Sequence, residues 1–231
     1  MTDTVLFMPT FGGRANAARQ ALLTMRNSGG ISKDIVVIVD DPPSDIATIF
    51  SDLDIELQTY PVRRGPVGGL VAACGHALAT PQYQYIMFLE DGVGVVPNWD
   101  YWMRRVLEAH PQFGWVACLQ AENAGTTFTS MASMMTRAAL EASGGWDATF
   151  APAHYDDSDL VMRMRAHGFT PHGIPIAVHH PTAQTSNVDN PEGYFLLGLA
   201  HQRKFAQRWG YPDFFWHSVP CHQQCPRCEM P

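Results

Sequence analysis

Charge is the first thing this sequence has little of. Asp, Glu, Lys and Arg make up 16% of its 231 residues, against roughly 25% in ordinary soluble domains. The shortage is greater on the basic side: 15 Lys plus Arg against 22 Asp plus Glu leave a formal net charge of −7. Such a balance argues against a protein that coats nucleic acid or an anionic membrane, while leaving room for a local basic groove. No run of about 18 apolar residues occurs, so no membrane span is expected. The opening Met1-Thr-Asp-Thr4 lacks the basic stretch of a secretory signal, and the expected location is the cytoplasm, where thiols stay reduced. No Gly-Lys-Ser/Thr phosphate loop and no G-x-G-x-x-G fingerprint is present, nor any internal repeat or low-complexity tract. Of five cysteines, Cys74 and Cys118 lie alone in apolar contexts and are expected in the core. The length and the 46% of hydrophobic residues suffice for a core that needs no disulfide or metal to fold.

What is present alternates. Apolar β-like runs are expected as strands at Val5–Met8, Ile35–Val39, Ile55–Tyr60 and Tyr85–Leu89. Helical patterns fall between and after them at Arg14–Met25, Ser44–Leu53, Val67–Thr80 and Trp99–Ala109. The second half is less regular, with strands expected at Gly114–Gln120, Thr129–Thr136 and Ile174–Val178, and helices at Asp156–His167 and Phe195–Trp209. Strands alternating with helices predict an α/β fold with a mostly parallel central sheet flanked by helices. Ligands bind such sheets beyond the carboxyl ends of the strands. The polar residues gather at those ends: Thr10 to Arg14, Asp40-Asp41 and Glu90-Asp91.

Four constellations carry chemistry. Glu90-Asp91-Gly92 follows an apolar strand, where carboxylates suit Mg²⁺ or Mn²⁺; the bland alternative is a solvated acidic turn. Tyr155-Asp156-Asp157-Ser158-Asp159 opens a helix with more carboxylates than capping requires, which suggests a general base. His179-His180 follow a short strand and can complete a metal site or be a surface pair. Gly12-Gly13-Arg14 lets backbone N–H groups approach a phosphate or base closely. The neighbouring Arg63-Arg64 pair can also meet phosphate, though solvated charge is the simpler reading.

Together these pieces resemble the family 2 glycosyltransferases of GT-A fold, over roughly Val5 to Gly210. Val5-Leu-Phe-Met-Pro-Thr-Phe-Gly-Gly-Arg14 is similar to the family's first strand and turn. Val36-Val-Ile-Val-Asp-Asp41 is similar to the second strand with its base-binding aspartate, and Tyr85 to Val93 with Pro97-Asn-Trp99 to the metal-binding D-x-D segment. Gly144-Gly-Trp-Asp-Ala-Thr-Phe150, then Tyr155-Asp-Asp-Ser-Asp-Leu160 and Arg163, is the most specific match. Val178-His-His180 and Phe205-Ala-Gln-Arg-Trp-Gly210 resemble the late metal-ligand histidine and the closing helix.

The resemblance implies an inverting, metal-assisted transfer of a sugar from a nucleotide-sugar donor to a hydroxyl acceptor. It implies that Asp40 or Asp41 holds the base or ribose, and that Thr10 and Arg14 line the nucleotide pocket. Asp91, with Glu90, would bind Mn²⁺ or Mg²⁺ directly or through water, completed by His180 or His179. Asp157 would be the catalytic base beside Asp156, and Trp146 and Asp147 would shape the donor-sugar and acceptor side. Two positions depart from the pattern: Gly92 replaces the last D-x-D aspartate, and Cys74-Gly75 stand where Arg-Asn is usual.

The expected organisation is one domain over 1–210, with a nucleotide-binding half at about 1–97 and an acceptor and catalytic half at about 98–210. A Cys/His-rich tail follows at 211–231. In that tail Cys221, His222, Cys225 and Cys228, with His217 as a further donor, suit a structural Zn²⁺; reduced thiols are the alternative. The acceptor class stays open: a glycan, a protein, a lipid-linked glycan or a hydroxylated base in DNA. DNA would need a basic face, for which Arg203-Lys204 and Arg208 are candidates. Two other activities also stay open, a nucleotidyltransferase of similar fold and a degenerate protein that binds sugar or a partner without catalysis.

Overall fold

A computed structural model describes residues 2–120, 131–178 and 191–210. The strands are β1 (Thr4–Phe11), β2 (Asp34–Asp40), β3 (Glu56–Tyr60), β4 (Tyr85–Leu89), β5 (Trp115–Gln120), β6 (Ala132–Thr136) and β7 (His172–Val178). The α-helices are α1 (Ala15–Asn27), α2 (Ile46–Ile49), α3 (Gly65–Ala79), α4 (Trp99–Ala109), α5 (Arg137–Ser143), α6 (Asp156–Ala166) and α7 (Pro191–Trp209). The strands form one sheet in the order β3-β2-β1-β4-β6-β5-β7. β3, β2, β1 and β4 run parallel, β6 runs against both neighbours, and β7 is parallel to β5.

The continuous apolar runs of β1, β2 and β4 follow from burial on both faces. Leu6, Met8, Val37, Val39, Met87 and Leu89 pack on one face with Ala18 and Leu22 of α1 and Trp99 and Met103 of α4. Val5, Phe7, Val36, Ile38, Ile86 and Phe88 pack on the other with Leu70 and Ala73 of α3, Leu140 of α5 and Leu160 of α6. Burying each such side chain fully contributes about 1.5–3 kcal/mol.

Several expectations change in detail. β1 runs through Pro9 to Phe11 instead of stopping at Met8, because β2 pairs with it as far as Phe11 while β4 pairs only as far as Phe7. The proline therefore lies where one side of the strand is open. The helix expected over Ser44–Leu53 shrinks to the four residues of α2, since only Ile46 and Phe50 of this stretch are buried and little apolar surface rewards a longer one. α3 keeps its early glycines for a packing reason: a Cβ on Gly69 would stand 2.6 Å from Pro9 Cβ, so the helix lies directly on β1. α5 was not expected. Thr136 Oγ1 accepts the Ala139 N–H at 3.3 Å to open it, and Gly144, with φ +74°, closes it. Cys74 and Cys118 are free and buried, and burial pushes both thiols up to about 12. No helix among the described residues is long and apolar enough to cross a membrane.

Candidate active site

The carboxyl ends of β1, β2 and β4 share one edge of the sheet, and the predicted polar residues meet there. Asp91, just past β4, is held by β1 and the turn after it. Thr10 Oγ1 donates to Asp91 Oδ2 at 2.5 Å, and Arg14 Nε donates to Oδ1 at 2.7 Å. Arg14 Nη2 also reaches the Asp91 carbonyl at 3.1 Å. The Gly12–Arg14 turn that delivers this arginine packs tightly, since a Cβ on Gly12 would stand 2.2 Å from the Asp41 carbonyl oxygen. Gly92 has φ +86°, and a Cβ there would lie 2.6 Å from Arg14 Nη2.

β2 brings Asp40 opposite Phe11 of β1 and Tyr60 of β3. Its buried carboxylate is already engaged: Oδ2 accepts the Arg64 N–H at 2.6 Å, and Oδ1 accepts Arg64 Nε and Nη2 at 2.9 and 2.7 Å. Arg64 is therefore not solvated charge. Its guanidinium also lies 3.3 Å from the Tyr60 ring centroid, and that of Arg63 lies 4.0 Å from the Phe11 centroid. Of the two candidate aspartates, Asp41 is the exposed one.

α6 follows two residues in left-handed backbone conformation, His154 and Tyr155, with φ +78° and +62°. Its three aspartates have three different surroundings. Asp157 Oδ1 accepts the indole N–H of Trp146 at 3.1 Å. Asp156 is pushed well above the usual carboxylate range by burial and by the charge of Asp157. Asp159 is fully buried and accepts Arg163 Nε at 2.8 Å, Arg208 Nη1 at 2.8 Å and Trp209 Nε1 at 3.0 Å. It ties α7 to α6.

Glu90 joins these groups. It is half-buried at the end of β4. Burial, then the charges of Asp157 and Asp91, push it up to about 8, so its carboxyl keeps a proton at neutral pH. The same charges show that β4 and α6 bring Glu90, Asp91 and Asp157 into one neighbourhood.

Trp146 was expected to shape the donor-sugar and acceptor side together with Asp147. It is 3% exposed, with its ring packed edge-on against Phe88 and Trp115 at centroid distances of 4.6 and 5.4 Å. Its apolar ring belongs to the core, and it reaches the site through its indole N–H. Asp147 is likewise committed elsewhere: it accepts the Thr149 N–H at 2.8 Å and hydroxyl at 2.7 Å, and pairs with Arg208 at 2.7 Å. Burial raises this carboxyl, but those partners outweigh it and hold it at about 2. Arg208, expected on a basic face, is thus spent on Asp147 and Asp159, and Lys204 Nζ donates to the Thr149 carbonyl at 2.7 Å.

The described donors do not fit a divalent cation at the D-x-D position. Asp91 has both carboxylate oxygens in hydrogen bonds to Thr10 and Arg14, and Gly92 offers no ligand. No three His, Cys, Asp or Glu among the described residues are grouped to hold a metal. His179 and His180 lie outside the described residues, as do Cys221, His222, Cys225 and Cys228 with the zinc expectation attached to them.

No protein-family model matches the sequence, and no curated protein matches it. Solved structures do. The chain is similar to the mannosyltransferase PcManGT from Pyrobaculum calidifontis, solved with GDP-Man and Mn²⁺, with a TM-score of 0.65 and 15% identity over 95% of this chain and 66% of that one. It is similar to S. aureus TarS with a TM-score of 0.63 and 10% identity, over 89% of this chain and 40% of that one. The 1–349 fragment of TarS gives a TM-score of 0.59 and 11% identity, over 89% of this chain and 66% of that one. The chain thus spans about two thirds or less of the length of these neighbours. At such identities the likeness establishes the fold, a mixed α/β architecture of the GT-A glycosyltransferase type.

Proposed function

We propose that this protein is a glycosyltransferase that moves a sugar from a nucleotide-sugar donor to a hydroxyl acceptor with inversion. The observation that carries the reading is the place of Asp157: on the first turn of α6, oriented by the Trp146 indole, beside the strand-end carboxylates of a GT-A sheet. Residues 1–97 bind the nucleotide, with exposed Asp41 as the ribose or base contact, and 98–210 supply the base and the acceptor face. The Asp157 carboxylate takes the proton of the acceptor hydroxyl as its oxygen bonds to the anomeric carbon. The bond from that carbon to the diphosphate oxygen breaks, and the diphosphate leaves with the electron pair. Trp146 positions the base, and protonated Glu90 avoids a further negative charge beside it. The GDP-Man of the P. calidifontis structure supports the donor class.

The test is nucleotide release from a panel of nucleotide sugars by the full chain and by Asp157→Asn. One donor should be turned over, and loss of the base should slow it by about 10²–10⁴-fold. Turnover unchanged in Asp157→Asn removes Asp157 from the role of base. Failure of every donor and nucleoside diphosphate to bind overturns the functional reading itself.

A further inference from the structure

In a D-x-D site a carboxylate holds a metal cation, and the cation faces the donor diphosphate. This protein keeps the carboxylate, Asp91, but its partner is a side chain. Arg14 donates through Nε to Asp91 Oδ1 at 2.7 Å and through Nη2 to the Asp91 carbonyl at 3.1 Å, while Thr10 takes the other carboxylate oxygen at 2.5 Å. Arg14 also fills the space of the missing ligand. Any Cβ on residue 92 would stand 2.6 Å from Nη2, and the φ of +86° there is one that L side chains rarely adopt. The glycine and the arginine therefore go together: the residue that would complete a metal site is absent where the guanidinium sits.

We infer that Arg14 takes the place of the divalent cation, and that the donor diphosphate binds this site without metal. The inference rests on the glycosyltransferase reading for its ligand, a nucleoside diphosphate. The chemistry suits the exchange. A guanidinium stays charged at every physiological pH and carries five N–H donors, of which Asp91 takes one from Nε and one from Nη2. The Asp91 and Thr10 contacts fix the side chain, so little entropy remains to be lost when the phosphate arrives. The side chains of Arg14 and Asp91 are 14% and 12% exposed, so the pair is largely buried and keeps some contact with solvent.

The experiment is calorimetric titration of the full-length wild-type chain with GDP, UDP, ADP, CDP and dTDP, each in EDTA and again in excess Mn²⁺. Titration with Mn²⁺ alone is the control. At least one nucleoside diphosphate should bind in EDTA, with an affinity that Mn²⁺ changes by less than about threefold. Mn²⁺ alone should give no saturable heat. Arg14→Gln, shown to be folded by circular dichroism, should weaken that nucleotide by about 10- to 100-fold, as expected for losing a charge-assisted contact to phosphate. Binding that vanishes in EDTA and returns with Mn²⁺ overturns the inference and leaves the donor reading standing. Unchanged affinity in Arg14→Gln also overturns it. Absence of binding to all five nucleotides in both conditions defeats the donor reading itself, and the inference with it. The wild-type comparison decides the metal question even where a variant does not fold.

Discussion

Replacing Asp159 by alanine should unfasten the C-terminal helix. The Asp159 carboxylate is fully buried and accepts hydrogen bonds from Arg163 within α6 and from Arg208 and Trp209 at the end of α7. All three end on the carboxylate, and hydrogen bonds to a charged group are worth about 1.5–3 kcal/mol each. The gross sum overstates the effect, because Arg208 is 32% and Arg163 21% exposed and water competes for both. The desolvation of the carboxylate is also relieved on its removal. Arg208 further retains Asp147 at 2.7 Å. A net loss of about 3 kcal/mol follows, the lower end for breaking a buried pair. Urea unfolding of wild type and Asp159→Ala measures it, and hydrogen exchange should locate the faster opening in α7. The double variant with Arg208→Ala should show a coupling of about 1 kcal/mol or more. A loss below about 1 kcal/mol, with exchange in α7 unchanged, would refute Asp159 as the fastening point.

Glu90 gives a pH prediction. Its carboxyl is raised from 4.5 to about 8, so the folded state keeps a proton that the unfolded state has lost. Stability should therefore fall as pH rises through that interval, by up to about 1.4 kcal/mol per pH unit, and Glu90→Gln should flatten the dependence in urea titrations at several pH values. Parallel curves for the two proteins contradict the assignment. Gly92→Ala should destabilise by about 1–2 kcal/mol in thermal melts, because its left-handed φ disfavours a Cβ, and Arg14 Nη2, 2.6 Å from the Cβ position, would have to shift. Trp146→Phe keeps most of the ring but removes the N–H on Asp157; kcat for sugar transfer should drop about tenfold or more with KM for the donor little changed.

Much of this protein was legible in its sequence because local periodicity and burial agreed. Tyr85–Leu89 and Trp99–Ala109 have the predicted bounds, since one is a short apolar run that ends at acidic residues and the other an amphipathic helix with Pro97-Asn98 before it. The parallel strands followed from alternation, and the gathering of Thr10, Asp40 and Asp91 at one edge followed from parallel strands. α5 was missed although Thr136 and Gly144 bracket it, because seven residues are too few for periodicity to show. The resemblance to a glycosyltransferase pointed to the architecture that the solved structures share.

Pairing was decided only in three dimensions. Nothing local distinguishes Asp157 from Asp159 two residues on, yet a helix turns them to different surroundings, one toward the Trp146 indole and one into a buried cluster of Arg163, Arg208 and Trp209. Arg64 reads as surface charge until β2 and the loop before α3 place it against Asp40, 24 residues away. Gly92 reads as the loss of a metal ligand until β1 sets Arg14 beside it, from 77 residues earlier in the chain than Asp91. The sequence by itself determined which segments become strands and helices, and which ends carry polar groups, because those depend on neighbours one to four residues apart. Which charge meets which depended on how the sheet brings distant segments together, because an ion pair is set by distance in space and leaves no periodic trace along the chain.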